Sequence, residues 1–190
     1  SRLKNAVSDV PKPLAPINGL SLLQLQLAHW MQQGQKNFTF LLYHEAEKII
    51  EVLVSLNQYY GSAISIDWVV EEMPLGTGGS VANALRNRTL SDSIIISNAD
   101  TWLEEGLQKI SNVQSAALAT VKVCDTARYG SICLDRNGYV TDFLEKHSTP
   151  GIVSSGIINA GLYKLPADIF LDVGKMVFSI EAEILPVLSG

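Results

Sequence analysis

The sequence predicts an α/β fold whose sheet is mixed and mainly parallel. In the first half of the chain, short apolar runs typical of strands alternate with segments that have helical apolar spacing. This order is typical of parallel strands joined by helices. In the second half, two strand-like runs flank an Asn-Gly pair. Asn-Gly is a strong hairpin signal, so the second half adds antiparallel strands to the sheet.

The first half contains three predicted helices and three predicted strands. The helices show an apolar stripe, and the first of them ends at Gly34, a residue that commonly stops a helix. The strands are short and rich in Ile, Val and Phe. In chain order the elements are helix 20–33, strand 38–43, helix 45–56, strand 64–70, helix 80–86 and strand 93–97.

The second half is predicted to be richer in strands. Its hairpin turns at residues 135–138, where Asn137 and Gly138 lie between two apolar runs. The predicted elements are strand 116–123, hairpin strands 131–134 and 139–143, strand 156–165, and helical stretches at 168–171 and 179–188. Because neither an internal repeat nor a linker is visible, we expect residues 1–190 to form a single domain.

Composition excludes several classes of protein. Hydrophobic residues make up 47% of the chain, enough to build a sizeable core, and charged residues make up 17%. The net charge is −5 and no basic run occurs, so we expect no nucleic-acid or membrane-surface partner. Cys124 and Cys133 lie in strand-like apolar stretches. We expect them to be reduced, buried thiols of a cytoplasmic protein.

A glycine-rich segment, Gly76-Thr77-Gly78-Gly79, follows one predicted strand and precedes a predicted helix. Glycines let a backbone approach a ligand closely, and a helix N-terminus offers N–H groups to an anion or a base edge. The segment is not the dinucleotide-binding fingerprint, because Val81 occupies the third glycine position, and no Lys-Ser/Thr of a P-loop follows it. The residues alone leave two alternatives, a ligand-binding loop and a structural turn.

Asp100 lies just after the most strand-like run of the chain, residues 93–97. A carboxylate at the carboxyl end of a central parallel strand lies where α/β sheets bind ligands. A short side chain such as Asp suits a Mg²⁺ ligand, helped by a second carboxylate or by substrate phosphates. The alternative is a helix N-cap for the segment after it, and the local sequence does not separate the two.

Three further places carry candidate site residues. Glu145 can accept hydrogen bonds from hydroxyls and Lys146 can bind phosphate, although a solvated Glu–Lys pair is the commoner explanation. Asn159 lies within an apolar strand, so it either satisfies a neighbouring backbone group or faces a pocket. Lys12 lies between two prolines that stiffen the backbone and preorganise the cation, and Arg2 precedes it.

Taken in order, these segments resemble the sugar-1-phosphate nucleotidyltransferase family. The family begins with a glycine-rich signature, of which residues 1–3 resemble the tail, followed by a Pro-Lys-Pro segment like Pro11-Lys12-Pro13. Within the family, residues 3–19 and 74–85 most resemble heptose-1-phosphate and mannose-1-phosphate guanylyltransferases. The later segments that carry the resemblance are PLGTGG at 74–79, SIIISNAD at 93–100, RYGS at 128–131, FLEK at 143–146 and INAGLY at 158–163.

The resemblance implies a Rossmann-like three-layer sandwich and a reaction between a nucleoside triphosphate and a sugar 1-phosphate. It implies that Arg2 and Lys12 face the triphosphate and that Asp100 binds Mg²⁺. Gly76, Thr77, Gly78 and Gly79 would line the base and ribose. The sugar phosphate would be held by Gly130, Glu145, Lys146, Asn159 and Ala160. A homo-oligomer is compatible with the family, and the sequence leaves the oligomeric state open.

The sequence also departs from the family pattern. Ala99 stands where the family usually has glycine before the metal-binding Asp. The family's first strand, its glycine loop and a second metal carboxylate would lie outside Ser1–Gly190, so we expect the 190 residues alone to be inactive. Asp172-Val173-Gly174 superficially resembles the late carboxylate segment. It precedes the final helix instead of following it, so we expect Asp172 not to bind metal.

Two other functions are compatible with parts of the sequence. A non-catalytic module could keep the sugar site without the nucleotide site, and the missing glycine loop is its main support. An unrelated nucleotide-binding enzyme such as a dehydrogenase is disfavoured by the failed glycine fingerprint.

Overall fold

A computed structural model describes residues 10–86, 88, 91–126, 129, 131–144 and 155–189. These residues belong to two compact units, one ending at Pro74 and one beginning at Leu75. Because the division into units follows contacts and not independent folding, the expectation of a single domain stays a prediction.

The first unit contains a parallel strand pair and two helices. Helix α1 begins after Ser21, whose side chain accepts a hydrogen bond from the Gln24 backbone while the Gln24 side chain bonds back to Ser21. This capping box satisfies two backbone donors at the helix start. The elements are β1 (Pro16–Ile17), β2 (Leu20–Ser21), α1 (Leu22–Gln32), β3 (Asn37–Leu42), α2 (Ala46–Tyr60) and β4 (Ser65–Val70).

The core of the first unit forms between the helices and the strand pair. Strand β3 runs parallel to β4, with Asn37 opposite Ser65 and Leu42 opposite Val70. Leu27 and Leu53, one from each helix, are almost fully buried in this core. Both helices therefore bury their apolar stripes, as the helical spacing predicts.

The second unit is built around one long strand. Its elements are α3 (Gly76–Leu85), β5 (Ser93–Ser97), α4 (Leu107–Asn112), β6 (Ala117–Val123), β7 (Ser131–Leu134), β8 (Val140–Leu144), β9 (Gly156–Pro166), a π-helix (Ile180–Ile184) and α5 (Leu185–Ser189). Strand β9 pairs antiparallel with β5, β6 and β7, and β7 pairs with β8. The side chains of Leu162, Tyr163 and Leu165 on β9 are nearly inaccessible to solvent.

The predicted hairpin forms as its turn chemistry requires. Asp135 accepts hydrogen bonds from the backbones of Asn137 and Tyr139, and Gly138 has a φ of +86°. A left-handed backbone at this position favours glycine. The Asn-Gly signal therefore located the turn between β7 and β8.

The mixed α/β fold and the predicted order of elements are confirmed, with two local corrections. Among the described residues the parallel pairing is that of β3 with β4, whereas β5, expected to be a parallel strand, pairs antiparallel with β9. A strand's own sequence does not indicate which later strand will occupy its edge. The burial predicted for the cysteines is also wrong, because Cys124 is exposed and Cys133 is only half-buried.

Within the described part of the chain, no helix combines the length and apolar character needed to cross a membrane.

Candidate active site

The glycine segment is part of helix α3 and not a loop before it. The sequence predicted a helix from residue 80, but α3 begins at Gly76. The Phe178 carbonyl accepts hydrogen bonds from the backbone N–H groups of Gly78, at 3.0 Å, and Gly79, at 3.2 Å. Phe178 in turn donates its own N–H to the carbonyl of Leu75, at 3.0 Å. The helix start is therefore held by a segment about one hundred residues later in the chain.

The hydrogen bonds to Phe178 change what we expect of the glycines as a ligand site. The N–H groups of Gly78 and Gly79, which we expected to face an anion or a base, already have a protein partner. Both residues are buried, whereas Gly76 and Thr77 are exposed. The structure thus gives Gly78 and Gly79 a packing role. Nucleotide binding by the four residues stays a prediction, and its accessible part is Gly76 and Thr77.

Gly79→Ala should destabilise the second unit because of this packing. A Cβ at residue 79 would overlap the backbone carbonyl oxygen of Met176, an atom that cannot move aside like a side chain. Helix propensity alone would favour alanine by about 1 kcal/mol. We expect the overlap to outweigh it and lower the free energy of unfolding by about 1–3 kcal/mol, measured by urea denaturation. Asn83→Ala in the same helix is the control, and equal stability of the two variants would contradict the prediction.

Asp100 lies in an exposed turn directly after β5. The N-cap alternative is wrong, because the next helix, α4, begins at Leu107 and its N-cap is Gly106. The turn is anchored to β9, since the Asn98 backbone donates a 2.8 Å hydrogen bond to the Gly161 carbonyl. Gly161 has a φ of +73°, and a Cβ there would overlap the Asn98 side chain. Glycine at 161 therefore allows the Asp100 turn to lie against β9.

Asn159 lies on β9 two residues before that anchor. Its Oδ1 accepts a 2.9 Å hydrogen bond from the Gly161 backbone, and its Nδ2 donates to Tyr163 Oη at 2.6 Å. The first alternative for Asn159 is confirmed, because its amide oxygen satisfies the Gly161 backbone. The amide also joins a polar cluster through Tyr163, and the alternative that Asn159 faces a pocket stays a prediction. Ala160 instead lines an open groove of about 550 Å³ with Trp102, Lys109 and Thr120, a groove that Asn159 does not line.

Glu181 is the centre of the polar cluster. Its Oε1 accepts a hydrogen bond from Tyr163 Oη at 3.0 Å. Its Oε2 accepts from Ser179 Oγ at 2.8 Å and from Thr77 Oγ1 at 3.1 Å. The Thr77 hydroxyl accepts in turn from the Ile180 backbone, at 2.9 Å. The Glu181 carboxylate thus connects Thr77, at the start of α3, through Tyr163 with Asn159 on β9.

The environment of this cluster shifts two pKa values. Burial alone would raise the pKa of Glu181, but hydrogen bonds from Ser179, the backbone, Tyr163 and Thr77 outweigh it and hold that pKa below its usual value. Burial raises the pKa of the Tyr163 phenol; the Asn159 hydrogen bond opposes this rise, and the Glu181 carboxylate adds to it. At neutral pH the cluster therefore contains an ionised Glu181 and a neutral Tyr163.

Acid should weaken the fold through Glu181. Its carboxyl titrates near 4.5 when unfolded and lower when folded, so its contribution is complete above about pH 4.5 and is lost as the pH falls through the folded pKa. We expect Glu181→Gln to flatten the fall of the melting temperature between about pH 6 and about pH 3. An identical pH profile in the variant and the wild type would contradict the prediction.

Lys12 belongs to the first unit. It is exposed at the start of a short 3₁₀ turn, Lys12–Leu14, between Pro11 and Pro13. Leu14 donates its N–H to the Pro11 carbonyl at 2.8 Å, and Ala15 donates to the Lys12 carbonyl at 3.1 Å. These hydrogen bonds hold the lysine backbone in a turn, and preorganisation of the cation by the two prolines stays a prediction. Arg2, Gly130, Glu145 and Lys146 lie outside the described residues, so their predicted roles stay predictions.

Sequence reasoning missed Glu181, Tyr163 and Phe178. Glu181 lies in a helical stretch where an acidic residue is ordinarily a solvated one, and Tyr163 and Phe178 have the apolar neighbours typical of core residues. No local signal distinguishes them, because each acquires its role from a partner on another element. Among the described residues, no group of three or more His, Cys, Asp and Glu side chains is placed to hold a metal ion.

The family model described as nucleotidyl transferase matches residues 1–183 of this chain. The chain belongs to the nucleotidyl transferase family. Curated relatives include D-glycero-alpha-D-manno-heptose 1-phosphate guanylyltransferases. The protein from Campylobacter jejuni is 32% identical over 90% of this chain and 74% of its own length. The protein from Aneurinibacillus thermoaerophilus is 34% identical over 85% of this chain and 68% of its own length.

Solved structures also show that the chain has the nucleotidyl transferase fold. HddC from Yersinia pseudotuberculosis, crystallised with GMP-PN, superposes with a TM-score of 0.79 and 32% identity over 94% of this chain and 77% of its own. The inositol-1-phosphate CTP transferase from T. maritima has a TM-score of 0.76 at 14% identity, over 98% of this chain and 76% of its own. The second likeness shows the fold alone, and the predicted fold class is confirmed.

Proposed function

We propose that this nucleotidyl transferase joins a nucleoside triphosphate to a sugar 1-phosphate, giving a nucleoside diphosphate sugar and pyrophosphate. The observation that carries the proposal is the 32% identity, over 90% of the chain, to a heptose 1-phosphate guanylyltransferase. We further propose GTP as the nucleotide and heptose 1-phosphate or mannose 1-phosphate as the sugar, since a mannose-1-phosphate guanylyltransferase from Mycobacterium tuberculosis is 28% identical over 99% of the chain.

In the proposed reaction a phosphate oxygen of the sugar 1-phosphate attacks the α-phosphorus of the triphosphate. A new P–O bond forms as the bond from the α-phosphorus to the bridging oxygen breaks, and pyrophosphate leaves with that electron pair. Such a transfer needs positioning and charge neutralisation more than covalent help from the protein. Lys12 and Arg2 would stabilise the negative charge that builds up on the triphosphate.

The described residues are compatible with Mg²⁺ at Asp100. Asp100 offers an exposed carboxylate in a turn anchored to β9, and Mg²⁺ is commonly held by one or two carboxylates together with waters and substrate phosphates. When bound, the ion would neutralise phosphate charge. We propose that Gly76 and Thr77 contact the nucleoside and that Gly130, Glu145, Lys146, Asn159 and Ala160 contact the sugar phosphate.

The substrates also bear on where the protein works. Nucleoside triphosphates are cytoplasmic metabolites, so we propose a cytoplasmic location, with the product serving as a glycosyl donor for polysaccharide synthesis.

The test is pyrophosphate release from a panel of nucleotides and sugar phosphates. The full-length protein, with any segments that lie outside Ser1–Gly190, is mixed with Mg²⁺ and each combination of GTP, ATP, CTP or UTP with heptose, mannose or glucose 1-phosphate. We expect release with GTP and either heptose or mannose 1-phosphate, and loss of release when EDTA is added. Calorimetric binding of the sugar phosphate without turnover on any nucleotide would overturn the proposal and favour the non-catalytic module.

A further inference from the structure

We infer that Glu181 is a positioning residue that couples the nucleotide side of the site to its sugar side. The inference rests on the proposed function, because it takes Thr77 to contact the nucleotide and Asn159 to contact the sugar phosphate. The two oxygens of the Glu181 carboxylate accept hydrogen bonds from two different elements, Thr77 on α3 and Tyr163 on β9.

On the sugar side, the effect of Glu181 passes through Tyr163. The Tyr163 hydroxyl donates to Glu181 Oε1 at 3.0 Å, which leaves its oxygen to accept from Asn159 Nδ2 at 2.6 Å. The backbone N–H of Gly161 donates to Asn159 Oδ1 at 2.9 Å. The amide of Asn159 is therefore fixed at both ends, and its orientation depends on the direction in which the tyrosine hydroxyl points.

On the nucleotide side, Glu181 acts through Thr77. The threonine hydroxyl donates to Glu181 Oε2 at 3.1 Å and accepts from the Ile180 backbone at 2.9 Å. This fixes the rotamer of an exposed side chain at the first turn of α3. An ionised acceptor makes the stronger hydrogen bond, so the charge of Glu181 is part of the restraint.

Glu181 is itself fixed before any ligand arrives. Ser179 Oγ donates to Glu181 Oε2 at 2.8 Å and accepts from the Glu181 backbone at 3.1 Å. The charge is thus built into the first turn of the π-helix, partly buried, with each carboxylate oxygen occupied by protein donors. A residue with both oxygens occupied in this way is suited to orienting neighbours and not to binding substrate.

Glu183 provides a matched control on the same turn. It is also acidic, and its Oε2 accepts a 2.8 Å hydrogen bond from the Ser179 backbone, so it supports the same helix start. Its other oxygen faces Lys175 at 3.5 Å. Among the described residues, Glu183 bonds to Ser179 and Lys175 and not to Thr77 or Tyr163, so its removal should disturb the turn without disturbing the two sides of the site.

The experiment measures KM for each substrate separately, in a pyrophosphate-release assay on the full chain. We expect Glu181→Gln to lower kcat/KM by about 10- to 100-fold, with KM raised for both substrates, since small displacements of positioning groups have effects of this size. Tyr163→Phe should raise mainly the KM for the sugar phosphate, and Thr77→Val mainly that for the nucleotide. Thr77→Ser, which keeps the hydroxyl, should restore most of the loss.

Three outcomes would overturn the inference while leaving the proposed function intact. These are wild-type KM values in Glu181→Gln, equal losses in Glu181→Gln and Glu183→Gln at matched thermal stability, and failure of Thr77→Ser to restore what Thr77→Val loses. The proposed function itself fails in a different way, by absence of turnover in the wild type. Direct titration of GTP and of mannose 1-phosphate by calorimetry gives a second readout for variants too slow to assay.

Discussion

Lys12→Ala should lower kcat about 100-fold or more, with a smaller change in KM for the sugar phosphate. The proposed role of Lys12 is to stabilise charge that increases towards the transition state, and losing one such group typically costs about two orders of magnitude in rate. Backbone hydrogen bonds from Leu14 and Ala15 hold the Lys12–Leu14 turn, so we expect the substitution to remove the cation and to keep the turn. The measurement is steady-state pyrophosphate release at saturating substrates.

Two further variants make the Lys12 test specific. Lys36 is also an exposed lysine of the first unit, and Lys36→Ala should leave kcat unchanged. Lys12→Arg keeps the charge but changes its shape, so it should retain more activity than Lys12→Ala. Unaltered kinetics in Lys12→Ala would remove the residue from the proposed mechanism.

Asp100→Asn should lower kcat/KM about 100-fold or more and raise the Mg²⁺ concentration needed for half-maximal activity. A bound metal ion contributes several kcal/mol of charge stabilisation, and each 1.36 kcal/mol corresponds to about a tenfold change in rate. Asparagine keeps the size of the side chain and removes its charge. The assay is pyrophosphate release titrated with MgCl₂.

Asp172→Asn is the matched control for Asp100. Asp172 is another exposed aspartate of the second unit, in a segment that resembles a late metal-binding motif but precedes the final helix. We expect its substitution to leave both the rate and the Mg²⁺ dependence unchanged. A loss of Mg²⁺ affinity in Asp172→Asn with none in Asp100→Asn would reverse the assignment of the metal ligand.

The fold was predictable wherever the signal is local. Helical apolar spacing located α1 and α2, and the Asn137-Gly138 pair located the turn of the β7–β8 hairpin. The start of α3 was not predictable in this way. Glycines are poor helix residues by propensity, so the sequence indicated a loop, and the hydrogen bonds from Gly78 and Gly79 to the Phe178 carbonyl bring them into the helix.

Some residues of the candidate site were also predictable from the sequence, and others were not. Asp100 became a candidate because α/β sheets bind ligands at the carboxyl ends of their strands. Asn159 became one because an amide inside an apolar strand needs hydrogen-bond partners. Glu181 and Tyr163 were missed because a glutamate in a helix and a tyrosine in an apolar strand are ordinary. Their importance lies in the hydrogen bonds between them and to Thr77 and Asn159.

By itself, the sequence determined the family and the order of helices and strands, and it identified candidate residues for phosphate and sugar recognition. Short segments of sequence are enough to predict these properties, because backbone propensity and motif spacing act over a few residues. Only the tertiary structure decided what those segments touch. Thr77 and Glu181 are 104 residues apart in the chain and share a hydrogen bond. Such a contact depends on how α3 and the π-helix pack, and no local pattern encodes it.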